Sequence, residues 1–457
     1  MQQILDLHIH SKYSRSCSTQ LTLENIDAAC RLKGVDIIAT GDFTFPDWFK
    51  AIKNELEEIT PSSSPLSGGG ASGLYKLKSA TDDKIKFILS TEVALIYKDG
   101  VGHARRIHLV IHAPNIEAAE ELNKYLDKDY NIRSDGRPIL GLAAPKLMKL
   151  CLGIDNKFLI YPAHIWTPWF AVFGSKSGFD KMEDCFHEYT KDVYAIETGL
   201  SSDPEMNWRL SALDKLTILS NSDAHSLPNI AREANVFEMK KITYDEIYNI
   251  IKNKKIYKDK APLNPENPPN PLYQGGTAQG GSQAGVKYTI EFYPEEGMYH
   301  YDGHRTCGVS FTPEQTKKYK GICPVCKKPL VIGVMNRVDE LADRPLGFKP
   351  DNAAPFKKLV ELDKIIAETR GIKSRSSNKV QAEYRDLIKH GGNELNILLN
   401  MNLKDLAEIA DPAIVEGIKR VREGKLIIKP GFDGQYGEVK IFSEREKEKN
   451  KQKSLFE

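Results

Sequence analysis

His8 and His10 stand two apart in the opening stretch MQQILDLHIH, which alternates like a strand, so both imidazoles point to one face. One such pair is more often a satisfied histidine pair near a strand end than a ligand set. What changes the balance is the company it could keep. Asp42, Glu92, His108 and His164 each lie in or just after an apolar run. Asp223 and His225 repeat the i, i+2 spacing in Asn221-Ser222-Asp223-Ala224-His225-Ser226. Imidazole nitrogen with bridging carboxylate suits Zn²⁺, Mn²⁺ or Fe. Eight candidate ligands exceed what one tetrahedral ion takes and point to a two- or three-metal cluster, the apparatus of metal-assisted hydrolysis. A second constellation, His304-x2-Cys307, fifteen residues, then Cys323-Pro324-Val325-Cys326, has zinc-ribbon spacing. It leaves no coordination position open, so one structural Zn is expected there. His300 lies nearby, and His304 is preferred on spacing.

These groups need a scaffold. Strand-length apolar runs recur at Ile4–Ile9, Val35–Ala39, Lys86–Leu89, Ile107–Ile111, Phe158–Pro162, Val193–Ile196 and Leu216–Leu219, with helical patterns such as Thr22–Lys33, Ile116–Leu126 and Tyr244–Lys252 between them. That alternation predicts an α/β fold with parallel strands, whose carboxyl ends share one rim. Residues 61–73 are expected to form a surface loop. The chain divides into 1–258, a Pro/Gly-rich linker 259–285, a zinc-ribbon module 286–350, a helical region 351–442 and a charged tail 443–457. A Gly/Asp-rich turn at 430–437 is flanked by two short apolar segments able to pair as a hairpin.

Composition sets the outer limits. At 457 residues, with 28% charged and 40% hydrophobic residues, the chain is long enough for two or three globular domains. No run of ~18 to 20 apolar residues is present, and no basic stretch precedes an apolar signal core. A cytoplasmic location beside the nucleoid is expected. The formal net charge of +2 gives no argument for a polyanionic partner, which must come from local distribution. Seven cysteines, four of them scattered, suit a reducing compartment with one metal site.

The blocks Asp6-Leu7-His8-Ile9-His10, Thr40-Gly41-Asp42, Glu92, His108, His164 and Ser222-Asp223-Ala224-His225 resemble the motifs of the PHP (polymerase and histidinol phosphatase) superfamily. Three longer blocks, Ala163–Phe170, Phe173–Phe179 and Glu197–Asp203, are similar to those of the endonuclease Q family within it. Tyr299–Gly303 and Val334–Pro345 resemble that family's zinc module. The resemblance implies a distorted (β/α) barrel with His8, His10, Asp42, Glu92, His108, His164, Asp223 and His225 around two or three divalent metals (Zn, Mn or Mg). It implies a DNA repair nuclease that nicks the phosphodiester 5′ of deaminated bases (uracil, hypoxanthine, xanthine) or abasic sites. Asp223 or Glu197 would orient or deprotonate the attacking water, and Lys176 would neutralise phosphate charge. Phe43 and Phe45 occupy the stretch where the superfamily carries a histidine, which leaves one metal under-coordinated, weakly bound or absent.

Thr369–Val380 holds Arg370, Lys373, Arg375 and Lys379 without an acidic residue and suits phosphate oxygens of DNA. Trp166, Trp169 and Phe170, beside His164, are candidate walls or wedges for a nucleotide turned out of the duplex. Gln452, Leu455 and Phe456 match the peptide that bacterial repair proteins insert into the sliding clamp. Two rivals share parts of this pattern: a phosphatase of a small phosphomonoester, and a non-catalytic DNA- or clamp-binding protein with a decayed site.

Overall fold

The computed structural model describes residues 1–60, 72–258 and 284–446. The clamp-like peptide, nearly all of the 61–73 loop and nearly all of the 259–285 linker lie outside the described residues. In chain order the first strands are β1 (Gln2–Asp6), β2 (Ile37–Ala39), β3 (Leu56–Glu58), β4 (Tyr75–Leu77), β5 (Lys86–Ile88), β6 (Ser90–Lys98), β7 (Ala104–His112), β8 (Ile139–Leu140), β9 (Leu159–Pro162), β10 (Ala195–Glu197), β11 (Thr217–Leu219) and β12 (Ala234–Glu238). Each of the expected apolar runs carries one of these strands.

The α/β fold expected from the sequence is present, with strands running in both directions. β1–β2–β5 and β10–β11 run parallel, and the two-residue β8 lies parallel to β6. The nine-residue strands β6 and β7 form an antiparallel hairpin, β9 pairs antiparallel with β7, and β12 returns antiparallel along β1. The ladders fall into an eight-stranded sheet, β6–β9 as a four-stranded sheet and β10–β11 as a pair. The physical reason is connection length. β6 and β7 are joined by a tight turn, and a short loop permits only antiparallel return. Ile4, Leu5, Ile37, Ile38, Phe87 and Ile88 are buried, so the parallel strands read as near-continuous apolar runs.

The later part of the chain is woven into the same sheet. β13 (Gly285–Glu291) pairs antiparallel with β12, and β16 (Phe356–Lys358) lies parallel to β13; between them in sequence come β14 (Asp302–His304) and β15 (Val309–Phe311), an antiparallel hairpin. The helix Val334–Leu341 docks on the loop that follows His164. Its Arg337 donates to the carbonyls of Phe173 and Phe179 and pairs with Asp180. Helices from Leu362 to Arg422 follow, and β17 (Ile427–Lys429) pairs with β18 (Glu438–Lys440) as the expected hairpin. No described helix is long and apolar enough to cross a membrane.

Two buried polar contacts join the parts. Lys33, at the end of the helix Leu23–Lys33, meets Glu394 at 2.7 Å with both side chains under 10% exposed. Glu394 also accepts from Leu362 N–H and Tyr384 O–H. At the end of β13, burial pushes Glu291 up to about 8, although it accepts from the hydroxyls of Thr289 on the same strand and of Thr198 just after β10.

Lys33→Ala strands a buried carboxylate and is expected to cost about 3–5 kcal/mol in urea unfolding, whereas Lys33→Met with Glu394→Gln recovers most of it. Glu291 gives a pH signature. A carboxyl whose folded pKa lies above its unfolded value of 4.5 loses stability as pH rises from there to about 8. Glu291→Gln should flatten thermal stability over that window, and an unchanged profile would contradict the assignment.

Candidate metal centre and active site

The chain beyond β1 continues beside the segment that follows β11. Ile9 bridges Ala224, His10 N–H donates to Ala224 O at 3.1 Å and Asp223 N–H to His8 O at 2.9 Å. The two i, i+2 pairs, His8/His10 and Asp223/His225, are thus zipped together by backbone. On the hairpin, Glu92 is opposite Val110 and Ala94 is opposite His108, so Glu92 and His108 are diagonal neighbours on one face. His164 follows β9, the next strand over.

Two sets of ligand atoms converge. His10 Nε2 lies 3.1 Å from Asp223 Oδ1 and 3.3 Å from Glu92 Oε2, and His8 Nε2 is 3.8 Å from both. A tetrahedral ion with donors at ~2.0–2.2 Å spaces them about 3.3–3.6 Å apart. His8 Nε2, His10 Nε2 and Asp223 Oδ1 are buried atoms without a hydrogen-bond partner, an arrangement that costs free energy until a cation joins them. In the second set Glu92 Oε1 is 2.7 Å from His108 Nδ1 and 3.1 Å from His164 Nε2, which are 3.2 Å from each other. Burial pushes His108 down to about 4. Glu92 is shared, one oxygen to each set. Burial raises its pKa, but His108, Arg137 and His10 outweigh that and hold it well below the usual carboxylate range.

Outer groups fix which nitrogen each imidazole presents. Glu197 takes His8 Nδ1 at 3.0 Å, His164 N–H at 2.9 Å and Asn221 Nδ2 at 2.8 Å. Asp42 takes His10 Nδ1 at 3.0 Å on one oxygen, and on the other Ser11 N–H, Ser11 O–H and Ser14 O–H. Thr167 Oγ1 lies 3.0 Å from His164 Nδ1, and His225 Nδ1–H donates to Asp223 O at 2.8 Å. His8, His10 and His164 thus turn Nε2 inward, while His108 presents Nδ1 to Glu92. Asp6 ties β1 to the Asp223 segment by accepting from Ser222 and Ala231 N–H. Asp42, His164 and Asp223 all sit at positive φ (48°, 30° and 46°), a strained setting for non-glycine residues that these contacts hold in place. Gly199 has no side chain for a reason: a Cβ there would stand 2.4 Å from His164 Cβ.

A third set lies apart. Ligand atoms of His304, Cys307, Cys323 and Cys326 all fall within 4.8 Å of one another, with His304 Nδ1 3.6 Å from Cys326 Sγ. His304 ends β14, and the Cys323–Cys326 turn is closed by Lys327 N–H to Cys323 O and Cys323 N–H to Lys328 O. Three thiols and an imidazole in this arrangement are compatible with a zinc module. His300 is not among them; its ring packs on Tyr301.

The crystal structure of the lesion-specific endonuclease PfuEndoQ from Pyrococcus furiosus superposes with a TM-score of 0.77 at 28% identity, over 97% of this chain and 96% of that one. Endonuclease Q in complex with a 27-mer duplex substrate, with an abasic lesion at the active site, gives 0.76 at 28% identity over 98% of both chains. The chain is an endonuclease Q-like protein. The family model of the MJ0043 C-terminal domain matches residues 361–425. The uncharacterized protein MJ0043 of Methanocaldococcus jannaschii is 32% identical over 281 residues, 60% of this chain. The chain spans about a third (31%) of that relative's length.

Several sequence expectations are redistributed in this endonuclease Q-like fold. Asp42, expected as a ligand, stands behind His10 with its oxygens already engaged. Glu197, expected at the reacting water, has no exposed surface and holds His8 and His164 instead. Lys176 is exposed, and its ammonium makes no ion pair among the described residues. His225 lies outside both convergent sets, its ring 4.6 Å from that of His10. Trp166 is a core residue at 0% exposure, its indole N–H donating to Asn207. Trp169 is 39% exposed and meets Tyr299 edge-on.

The basic stretch splits likewise. Arg370 is neutralised by Glu383 and Asp411, and Arg375 by Glu361 and Asp363 with a further bond to Asn229. Lys373 and Lys379 are exposed. Phe43 is fully buried and Phe45 stacks on Tyr13, so both fill space near the cluster as apolar packing. Sequence reasoning missed Arg137 and Asn221. Asn221 sits inside the Asp223 block and was open to notice. Nothing local to Arg137 marks it.

Glu197→Gln removes the carboxylate charge from behind the His8 imidazole and beside the His164 backbone N–H, and is expected to weaken metal binding about 10- to 100-fold in a chelator-competition titration, while Lys176→Ala leaves it unchanged.

Proposed function

We propose that this chain is a metal-dependent DNA endonuclease that nicks the phosphodiester 5′ of a deaminated base or an abasic site. The observation that carries the reading is whole-chain likeness to lesion-specific endonuclease Q, together with two ligand sets sharing Glu92. His8, His10, Glu92 and Asp223 would hold one divalent ion, and Glu92, His108 and His164 a second, with His225 at the edge. Zn, Mn or Mg bound there would activate water and neutralise charge on a phosphoryl oxygen. Asp223 is the carboxylate of the cluster that also reaches solvent, its side chain 20% exposed, so it would hold an ion on the side open to substrate. Glu197, Asp42 and Thr167 hold the imidazoles against rotation during that approach.

Residues 1–258 would carry the chemistry inside a PHP-type barrel, and 286–442 would grip the duplex, with one structural zinc on His304, Cys307, Cys323 and Cys326. Beside His164 a cavity of about 210 Å³ is lined by Thr167, Pro168, Ser201, Met298, Tyr299 and His300. A nucleotide turned out of the stack would be received there, with Trp169 and Tyr299 at hand. Lys373 and Lys379 remain free to meet backbone phosphates. The Gln452-x-x-Leu455-Phe456 peptide, on its sequence alone, would contact a sliding clamp, and both partners would place the protein at the nucleoid.

The test is an end-labelled duplex with one uracil, hypoxanthine or abasic site, incubated with Mn²⁺ or Mg²⁺. A single nick just 5′ of the lesion is expected, absent from undamaged DNA and lost by at least ~10³-fold in Asp223→Ala. Hydrolysis of small phosphomonoesters without nicking would favour a phosphatase. Tight DNA binding with no cleavage under any divalent metal would favour a binding protein.

A further inference from the structure

Arg137 donates from Nη1 to Glu92 Oε2 at 3.0 Å, on the same oxygen that faces His8 and His10. Its side chain is 26% exposed, so the guanidinium spans from the buried carboxylate to solvent. The loop that carries it is stapled from several sides. Asp135 accepts from the N–H of both Arg15 and Arg137. Gly136 N–H donates to Tyr13 O, Thr44 Oγ1 donates to Gly136 O, and Ala94 N–H donates to Pro138 O on the strand of Glu92. Gly136 lies so close to Asp42 and Ser14 that a Cβ would stand 2.5 Å from either. The loop therefore cannot shift without disturbing the support of His10.

A charge argument follows. Two divalent cations would bring four positive charges, which the carboxylates of Glu92, Asp223, Asp42 and Glu197 balance before Arg137 is counted. The fixed guanidinium is then a further positive charge in the set, and an anion sharing the site would match it. Arg137 has further N–H donors beyond the one that Glu92 takes, in a planar fork suited to phosphate oxygens. Resting on the reading that the cluster acts on a phosphodiester, the geometry points to Arg137 as the residue that binds the non-bridging oxygens of the scissile phosphate and sets the phosphorus over the cluster. It acts as an anion anchor whose position is tied to the bridging carboxylate, and its charge is best matched when the phosphoryl oxygens gain negative charge.

The experiment uses the full chain loaded with Mn²⁺ and inorganic phosphate as the probe, titrated by calorimetry, beside nicking of an abasic duplex. Metal content and melting temperature are measured on every variant. Arg137→Gln is expected to bind phosphate at least ~10-fold more weakly with metal content unchanged, and to lower kcat for nicking about 10²- to 10³-fold. Arg137→Lys should recover part of the phosphate affinity and little of the rate, since an ammonium restores charge without the fork. Unchanged phosphate affinity in Arg137→Gln, or loss of bound metal in that variant, would overturn the assignment and leave Arg137 as a counter-ion of Glu92. If the unaltered protein nicks no lesion DNA yet phosphate binding still depends on Arg137, the endonuclease reading fails and the anion site stands.

Discussion

A single carboxylate with no exposed surface, Glu92, has its two oxygens turned to two different groups of histidines. A buried anion is stable only when its lone pairs are met by positive charge or by donors. Everything near it answers that demand. The β6–β7 hairpin sets its depth, the zipped segments of His10 and Ala224 bring the first group, and the turn after β9 brings the second. Without a shared carboxylate the chain would have two unrelated histidine clusters a few ångströms apart.

Behind the ligands stands a second layer of acid. Asp42 and Glu197 are as buried as Glu92, but each faces an imidazole's back nitrogen and several backbone or hydroxyl donors. A carboxylate saturated in this way has no oxygen left for an ion. It sets ring orientation, which decides whether a histidine can present Nε2 at all. The strained backbone at Asp42, His164 and Asp223 belongs to the same arrangement, because the hydrogen bonds that fix the side chains also hold the backbone off its preferred conformation.

What could be read from the sequence follows a simple divide. His8 with His10, and Asp223 with His225, were legible because a period of two places both members on one face whatever the tertiary fold. The His304–Cys326 set was legible because its four members lie in two tight local turns. The roles of Asp42 and Glu197 were not, since ligand and support differ only in donors supplied by Ser14, Asn221 and the His164 backbone. Arg370 and Arg375 read as free because the stretch around them holds no acid. Glu361, Glu383 and Asp411, from elsewhere in the helical region, claim them. The antiparallel pairings of β6, β7, β9 and β12 were hidden because alternation of strand and helix reports order along the chain and not direction in the sheet.

β1 leads directly into His8 and His10 and lies between β2 and β12, with Leu5 opposite Ile37 on one side and Ile4 opposite Val236 on the other, and β12 is itself flanked by β13. One neighbour of β1 is thus close in the chain, and the other lies more than two hundred residues away. Contacts of such wide sequence separation make folding slow, so His8 and His10 meet Asp223 late, and the buried ligand set comes into being only when the topology closes.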